Sequence, residues 1–167
     1  MRLPCIRHKS IDSKKFITFS IREIISDSLK KYPFTETEQA YVQWDDVPGN
    51  DFSVWGDPVL TMHVLFNLIK NSLYHTRDKM SQARIEFSCH ESIDYNELHV
   101  KDNGHGIPEE ILPHIFDAFY TSRASGSGIG LAFCKMVMQA YRGNIICHSE
   151  SGQGTHFILQ FPKAKPH

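Results

Sequence analysis

The stretch from Val59 to His75 constrains this chain more than any other. It reads Val59-Leu60-Thr61-Met62-His63-Val64-Leu65-Phe66-Asn67-Leu68-Ile69-Lys70-Asn71-Ser72-Leu73-Tyr74-His75, with apolar residues on nearly every side of a predicted helix. Such a helix belongs between other layers rather than on a surface. Two carboxamides interrupt it. Asn67 and Asn71 are four apart and share one face. A buried carboxamide without a partner costs about 1–3 kcal/mol, so the pair has to bond either neighbouring backbone or a polar ligand and its metal. The rest of the chain decides for the ligand.

At 167 residues the chain is long enough for one domain with a proper core. Lys+Arg 18 against Asp+Glu 19 leaves no basic footprint, which argues against a nucleic-acid partner. No apolar run approaches a membrane span, and Met1-Arg2-Leu3-Pro4 does not open a secretory signal. A cytoplasmic location without direct membrane contact from this chain is therefore expected. Cys5, Cys89, Cys134 and Cys147 form no CxxC pair and read as thiols kept reduced. None of the ten histidines stands with a second ligand at zinc-like spacing, so they read as scattered surface and core residues.

Residues 1–15 show no clear period and read as a linker or the remnant of an upstream element. Residues 16–162 form the domain, and 163–167 a polar tail. Phe16 to Phe19 reads as a short strand. Ser20-Ile21-Arg22-Glu23 has capping-box spacing ahead of a helix with Ile21, Ile24, Ile25 and Leu29 on its buried stripe, stopped by Pro33. Tyr41 to Trp44 and Phe52 to Trp55 are expected to pair around a turn at Val47-Pro48-Gly49-Asn50. Asp57 and Pro58 suit the N-cap and first position of the double-Asn helix. Ile85, Phe87 and Cys89 alternate with polar residues, as do Leu98 and Val100. The same alternation puts Asp102 on the apolar face at the end of its strand, where packing alone has no use for a carboxylate. A helix from about Leu131 to Tyr141, closed by Arg142 and Gly143, precedes strands at 144–149 and 155–161. Strands interleaved with three principal helices and a final hairpin suit helices on one face of a mixed sheet.

Four pieces stand in order: Asn67xxxAsn71; Asp102-Asn103-Gly104-His105-Gly106-Ile107-Pro108; Phe116-Asp117-Ala118-Phe119-Tyr120; and Gly126-Ser127-Gly128-Ile129-Gly130-Leu131. Singly each has an ordinary reading. Asp-Asn-Gly is a common turn, a glycine-rich run ahead of a helix serves close packing as often as phosphate, and paired Phe residues are usually core. In this order and spacing they resemble the N, G1, F and G2 boxes of sensor histidine kinases. Those belong to the Bergerat-fold ATPase superfamily shared with gyrase, MutL and a class of heat-shock chaperones. The resemblance runs from about Phe16 to Pro162 and includes Gly152-Gln153-Gly154-Thr155 before the last strand. Leu68 to Tyr74 and Phe119 to Arg123 also resemble hybrid kinases of bacterial quorum sensing.

The resemblance implies an α+β fold: a two-layer α/β sandwich with a mixed sheet, three principal helices on one face and a flexible ATP lid. It implies ATP and Mg²⁺ as cofactors. Asn71 becomes the Mg²⁺ ligand, a hard oxygen that adds no charge beside the phosphates. Asp102 becomes the acceptor for the exocyclic amine of adenine, a donor that guanine lacks at that position. Gly104 and Gly106 let the backbone pass close to the ring. Gly126, Gly128 and Gly130 bring phosphate to a helix start. The lid would run from Asn103 to Ser127, with Phe116 and Phe119 anchoring it. The implied nucleotide contacts also take in Ile107 and Thr155, and along the lid Phe119, Tyr120, Thr121, Ser122 and Arg123. Ser127, Ile129, Leu131 and Tyr74 complete the set. Arg123 reads either as a γ-phosphate contact or as a solvated lid residue.

Gyrase-like and chaperone-like relatives carry Glu as general base where this chain has Asn67, and an amide takes no proton at neutral pH. The chain is therefore expected to hold ATP, hydrolyse it slowly and leave the γ-phosphoryl for an acceptor. Two departures stand out. The family often has Lys or Arg where Tyr74 stands, so the source of charge neutralisation is open, and the lid between Phe119 and Gly126 is short. His8, followed by Lys9, does not fit the family's phosphoacceptor. The expected partners are a phosphoacceptor-histidine dimerisation domain and, downstream, a response-regulator receiver domain. Autophosphorylation of this chain alone is not expected. A nucleotide-sensing module without catalysis, or a protein-serine kinase of the same fold, is the alternative.

Overall fold

Ser20 starts the first helix because its hydroxyl accepts the Glu23 amide at 3.1 Å. That hydroxyl in turn donates to Asp51 Oδ2 at 2.8 Å, and Asp51 Oδ1 takes the Arg22 amide at 3.1 Å. The return bond expected from Glu23 is not formed. The computed structural model describes residues 11–44, 46, 49, 51–121 and 126–163. Most of the expected linker, the Val47-Pro48 and Asn50 positions of the turn, Ser122 and Arg123 lie outside the described residues. Helix α1 (Ile21–Lys31) buries Ile21, Ile24, Ile25 and Ser28, and the Pro33 expected to stop it follows.

Strand β1 (Ile17–Ser20) pairs antiparallel with β3 (Ser53–Gly56). Strand β2 (Val42–Trp44) instead runs parallel to β4 (Ile85–Glu91). The hairpin expected between Tyr41–Trp44 and Phe52–Trp55 is therefore not made. Alternation reveals which side chains are buried, but not which strand lies alongside. Here Phe16 meets both Trp55 and Tyr141 edge-on, drawing β3 onto β1. Val42 and Trp44 find Ile85 and Phe87 opposite them. A short helix, α2 (Glu36–Gln39), opened by a full Thr35–Glu38 capping box, leads the chain into β2.

Helix α3 (Pro58–Thr76) begins as expected, with Asp57 Oδ1 taking the amides of Val59 and Leu60. The Tyr141 hydroxyl donates to the Asp57 carbonyl at 2.8 Å and accepts its amide at 3.0 Å. This ties the start of α3 to the end of α4 (Gly130–Ala140). Gly56 is needed beneath that ring, since a Cβ would fall 2.6 Å from it. Helix α4 closes with Gly143 donating to Met138 and Arg142 to Gln139, with Arg142 in the left-handed region at φ 57°.

The main sheet has the order β2-β4-β5-β7-β6, with β5 spanning Tyr95–Asp102, β6 Asn144–Glu150 and β7 Gly154–Pro162. All pairs except β2–β4 are antiparallel. Helix α3 lies between α1 and α4 and over β4, β5 and β7, which is why it is apolar on so many sides. The architecture is the expected α+β two-layer sandwich: a mixed sheet with α1, α3 and α4 as its principal helices.

The histidines are less scattered than their spacing suggests. His99 Nδ1 and His156 Nε2 are 2.9 Å apart across neighbouring strands, and His99 Nε2 meets Glu97 at 3.0 Å. The His90 ring stacks 4.3 Å from His99, and His148 stands opposite His156. Burial first, then His99, Lys101, His148 and His90, push the His156 imidazole from 6.5 down to about 4. The unfolded chain binds that proton at the ordinary value. Stability is therefore full above about pH 6.5 and is lost as pH falls toward 4. Glu97, held below its ordinary 4.5 chiefly by Gln160 and His99, adds a further loss in acid. Urea unfolding is expected to show a loss of about 1–2 kcal/mol over the His156 window after allowance for solvent screening. His156→Gln should flatten it, and a wild-type profile already flat there would contradict the assignment.

Candidate functional site: the cleft between α3 and the start of α4

A cleft of about 500 Å³ opens between α3, the loop after β5 and the glycine-rich run before α4. That volume suits a nucleotide-sized ligand. Helix α3 contributes Asn67, Lys70, Asn71, Tyr74 and His75, which recur at helical spacing along one face. Gly106, Ile107, Tyr120 and Thr121 line it from the loop after β5, and Gly126, Ser127, Gly128, Gly130 and Leu131 from the other side. The two halves of the glycine-rich reading thus meet the double-Asn face in space.

The two carboxamides behave differently. Asn67 Nδ2 donates to the His63 carbonyl at 3.0 Å, so half of this amide bonds its own helix. Its Oδ1 lies against Gly130, where a Cβ would fall 2.6 Å away, and so faces the start of α4. Asn71 is one turn further on, 8% exposed and on the cleft wall. The α4 start has Ile129 as N-cap with no side-chain bond to the free amides. An uncapped helix start of this kind favours an anion.

Asp102 reaches the inner side of the sheet as the alternation predicts, and is only 2% exposed. It does not line this cleft, and instead borders a separate hollow with Ser149, Gly154 and Thr155. Its Oδ1 accepts the Gly104 amide at 2.9 Å. Oδ2 is buried and accepts no hydrogen bond of ordinary geometry among the described residues. Burial is the largest influence and raises its carboxyl above the ordinary 3.8, opposed by the Gly104 amide, Ser72, the Thr155 amide and His105. A buried carboxylate oxygen with spare acceptor capacity is unusual, and an amine donor would satisfy it. Thr155 sits opposite Asp102 in register, buried, with its hydroxyl 3.1 Å from that of Ser149.

The glycines answer first to the protein. A Cβ on Gly104 would fall 2.5 Å from the His75 carbonyl, and one on Gly106 (φ 73°) 2.0 Å from the Glu150 carbonyl. Gly128 (φ 66°) has no room beside Phe119, whose amide donates to the Gly128 carbonyl at 2.9 Å. This bond joins the backbone at Phe119 directly to Gly128. Phe116 does anchor the segment, packing edge-on against Phe157, and Ile115 is buried with it. Phe119 does not. It adopts φ 67° at the Gly128 bond, which leaves its ring 77% exposed. Ile129 is likewise half exposed and off the cleft.

Spacing alone missed Lys70, His75, His105, Pro108, Ile111 and Ile115, which also line the cleft. The first two were detectable, being one turn from Asn67 and Asn71. His105 joins them because its amide donates to the His75 carbonyl at 3.1 Å, bringing the rings to 4.6 Å. Arg77 stacks its guanidinium on Tyr74, 4.5 Å from the ring centre. Cys89, Cys134 and Cys147 take no part; burial pushes each thiol up to about 12.

The chain is similar to known proteins over most of its length. The family described as histidine kinase-, DNA gyrase B-, and HSP90-like ATPase matches residues 56–165. Over 162 residues the chain is 34% identical to the CAI-1 autoinducer sensor kinase/phosphatase CqsS of Vibrio cholerae serotype O1, covering 96% of this chain and 23% of that protein. It is 35% identical over 144 residues to the autoinducer 1 sensor kinase/phosphatase LuxN of Vibrio campbellii, covering 86% of this chain and 17% of LuxN. The chain thus spans less than a quarter of these relatives' length. The nucleotide-free catalytic domain of histidine kinase ThkA shares the fold, with a TM-score of 0.72 at 23% identity over 89% of this chain and 95% of that one. The matched span includes every described residue that lines the cleft, and the chain belongs to the histidine kinase-, DNA gyrase B- and HSP90-like ATPase family.

Proposed function

We propose that this chain is the Mg-ATP-binding catalytic domain of a two-component sensor histidine kinase, working in the cytoplasm. It would present the γ-phosphoryl of ATP to a histidine on a separate dimerisation domain, with a receiver domain as the later acceptor. The observation that carries this reading is the facing of two features across one cleft. The Asn67–Asn71 face of α3 lies on one side and the uncapped, glycine-rich start of α4 on the other. No carboxylate stands among the described residues that line the cleft. A polyanion is therefore not repelled, and Asn67 offers water an amide rather than a carboxylate base.

Adenine would take the end of the cleft toward the loop after β5, with its amine directed at the buried Asp102 Oδ2, which has acceptor capacity to spare. The Asn71 carboxamide oxygen is the ligand offered to Mg²⁺, an ion that takes few protein groups and keeps most of its waters. When bound, the ion would draw charge from the phosphate oxygens and fix their orientation. Phosphoryl transfer asks of the protein mainly such positioning. The Asn67 Oδ1 and the α4 amides supply polar contacts around the terminal phosphate without activating water. The glycines at 126, 128 and 130 let backbone rather than side chain meet it, and Tyr120 and Thr121 close that side. Ser122 and Arg123 keep the lid role implied by the resemblance. Among the described residues no helix is long and apolar enough to cross a membrane.

The test is titration with ATP, with and without Mg²⁺, followed by labelled ATP and a purified phosphoacceptor domain added in trans. The native chain should bind ATP more tightly with Mg²⁺ and label the acceptor with acid-labile phosphate. Asn71→Ala should lose most of the Mg²⁺ enhancement, about tenfold, while still binding without metal. Binding without transfer would favour a sensing module, and acid-stable label a serine kinase. Equal Mg²⁺ enhancement in both proteins would remove Asn71 from the metal.

A further inference from the structure

The cleft's positive charge is in an unexpected place. Tyr74 stands on the α3 face that lines the cleft, and a phenol brings no positive charge. The Arg77 guanidinium is the nearest substitute in sequence, but it lies over the Tyr74 ring with its Nε 3.8 Å from Asp78, and Arg77 does not line the cleft. Lys70 does. It is exposed, one residue before Asn71 and three after Asn67, on the same face of α3. Among the described lining residues it is the single Lys or Arg, and it appears in none of the ion pairs found among the described residues.

We propose that Lys70 supplies the phosphate-binding charge that Tyr74 cannot, reaching from α3 to the β- and γ-phosphates of the nucleotide. This rests on the ATP-binding reading above. The reasoning is electrostatic. A triphosphate brought between α3 and α4 meets amides, hydroxyls, the His75 and His105 imidazoles and backbone N–H groups there, so the Lys70 ammonium at the edge is the one lysine or arginine charge among the described lining residues. Lysine acts on phosphate as a point charge on a flexible stem, which suits a position at the cleft's margin. Because Lys70 is exposed, replacing it should not disturb packing.

The test compares the native chain with Lys70→Met, Lys70→Arg and Arg77→Met by calorimetric titration with Mg-ATP, Mg-ADP and adenosine. Lys70→Met should weaken ATP by about tenfold, the scale of one charge-assisted hydrogen bond. ADP should weaken less, and adenosine should be unchanged. Lys70→Arg should restore most of the ATP affinity. The ATP affinity of Lys70→Met should also depend less on salt than that of the native chain. Three results would overturn the proposal: unchanged ATP affinity in Lys70→Met, equal weakening of ATP and adenosine, or a tenfold loss in Arg77→Met instead. A native chain that binds neither ATP nor adenosine would instead bring down the nucleotide reading on which this one stands.

Discussion

Asp102→Asn is expected to make the unliganded chain more stable and a poorer binder of ATP. The native carboxyl sits above its ordinary 3.8 because burial disfavours the charge. The folded state therefore keeps this proton to a higher pH than the unfolded chain does. The stability it contributes is present in acid and lost as pH rises from the ordinary value through the folded one, so at pH 7 the ionised group is a liability. An amide keeps an oxygen for the Gly104 N–H and carries no charge. A gain of about 1 kcal/mol at pH 7 is expected, shrinking toward zero below about pH 4. Denaturant midpoints of the two proteins at both pH values measure it. The same change replaces an acceptor-only oxygen by a group that meets the adenine amine with half its valence reversed. ATP affinity should fall about tenfold or more, with little loss for GTP. A variant that is less stable at neutral pH, or that prefers ATP as strongly as before, would show that the acid is structural.

Gly106→Ala should be the most damaging small substitution in the site. The backbone there is at φ 73°, and a Cβ would stand 2.0 Å from the Glu150 carbonyl, a main-chain atom at the end of β6 that cannot swing away. Left-handed strain and overpacking each cost about 1–3 kcal/mol. A combined loss of about 3–5 kcal/mol would lower the melting temperature by roughly 10 °C or more for a chain of this length. The Ile107 amide donates to the Ser149 hydroxyl at 2.8 Å, so the same shift would disturb the wall behind Asp102 and weaken ATP. Thermal unfolding reads the first effect and titration the second. A melting point within a few degrees of native would mean that β6 and the loop separate without cost.

The glycine pattern shows how a correct location can rest on an incomplete reason. The sequence suggests glycine at 104 and 106 so that a nucleotide ring can approach, yet the groups that exclude a Cβ there are the carbonyls of His75 and Glu150. Phe119 teaches the reverse. Its spacing with Phe116 marks a lid anchor, but the bond to Gly128 turns the backbone left-handed and leaves the ring in solvent. The four-histidine face is invisible in sequence because its members come from β4, β5, β6 and β7, brought together by strand register.

The chain's own periodicities settled what is local. The all-round apolar pattern made α3 a buried helix, Asp57 and Pro58 set its start, and alternation delivered Asp102 to the inner face. Each depends on neighbours a few residues away, where backbone geometry alone dictates direction. Tertiary structure alone decided that β2 runs parallel to β4 while β3 joins β1, because strand pairing is settled between surfaces far apart in the chain. It also decided that Asn67 spends half its amide on its own helix, and that Lys70 faces the cleft while the Arg77 guanidinium lies on a ring. Those outcomes depend on which groups meet across layers, and spacing along one helix cannot supply that.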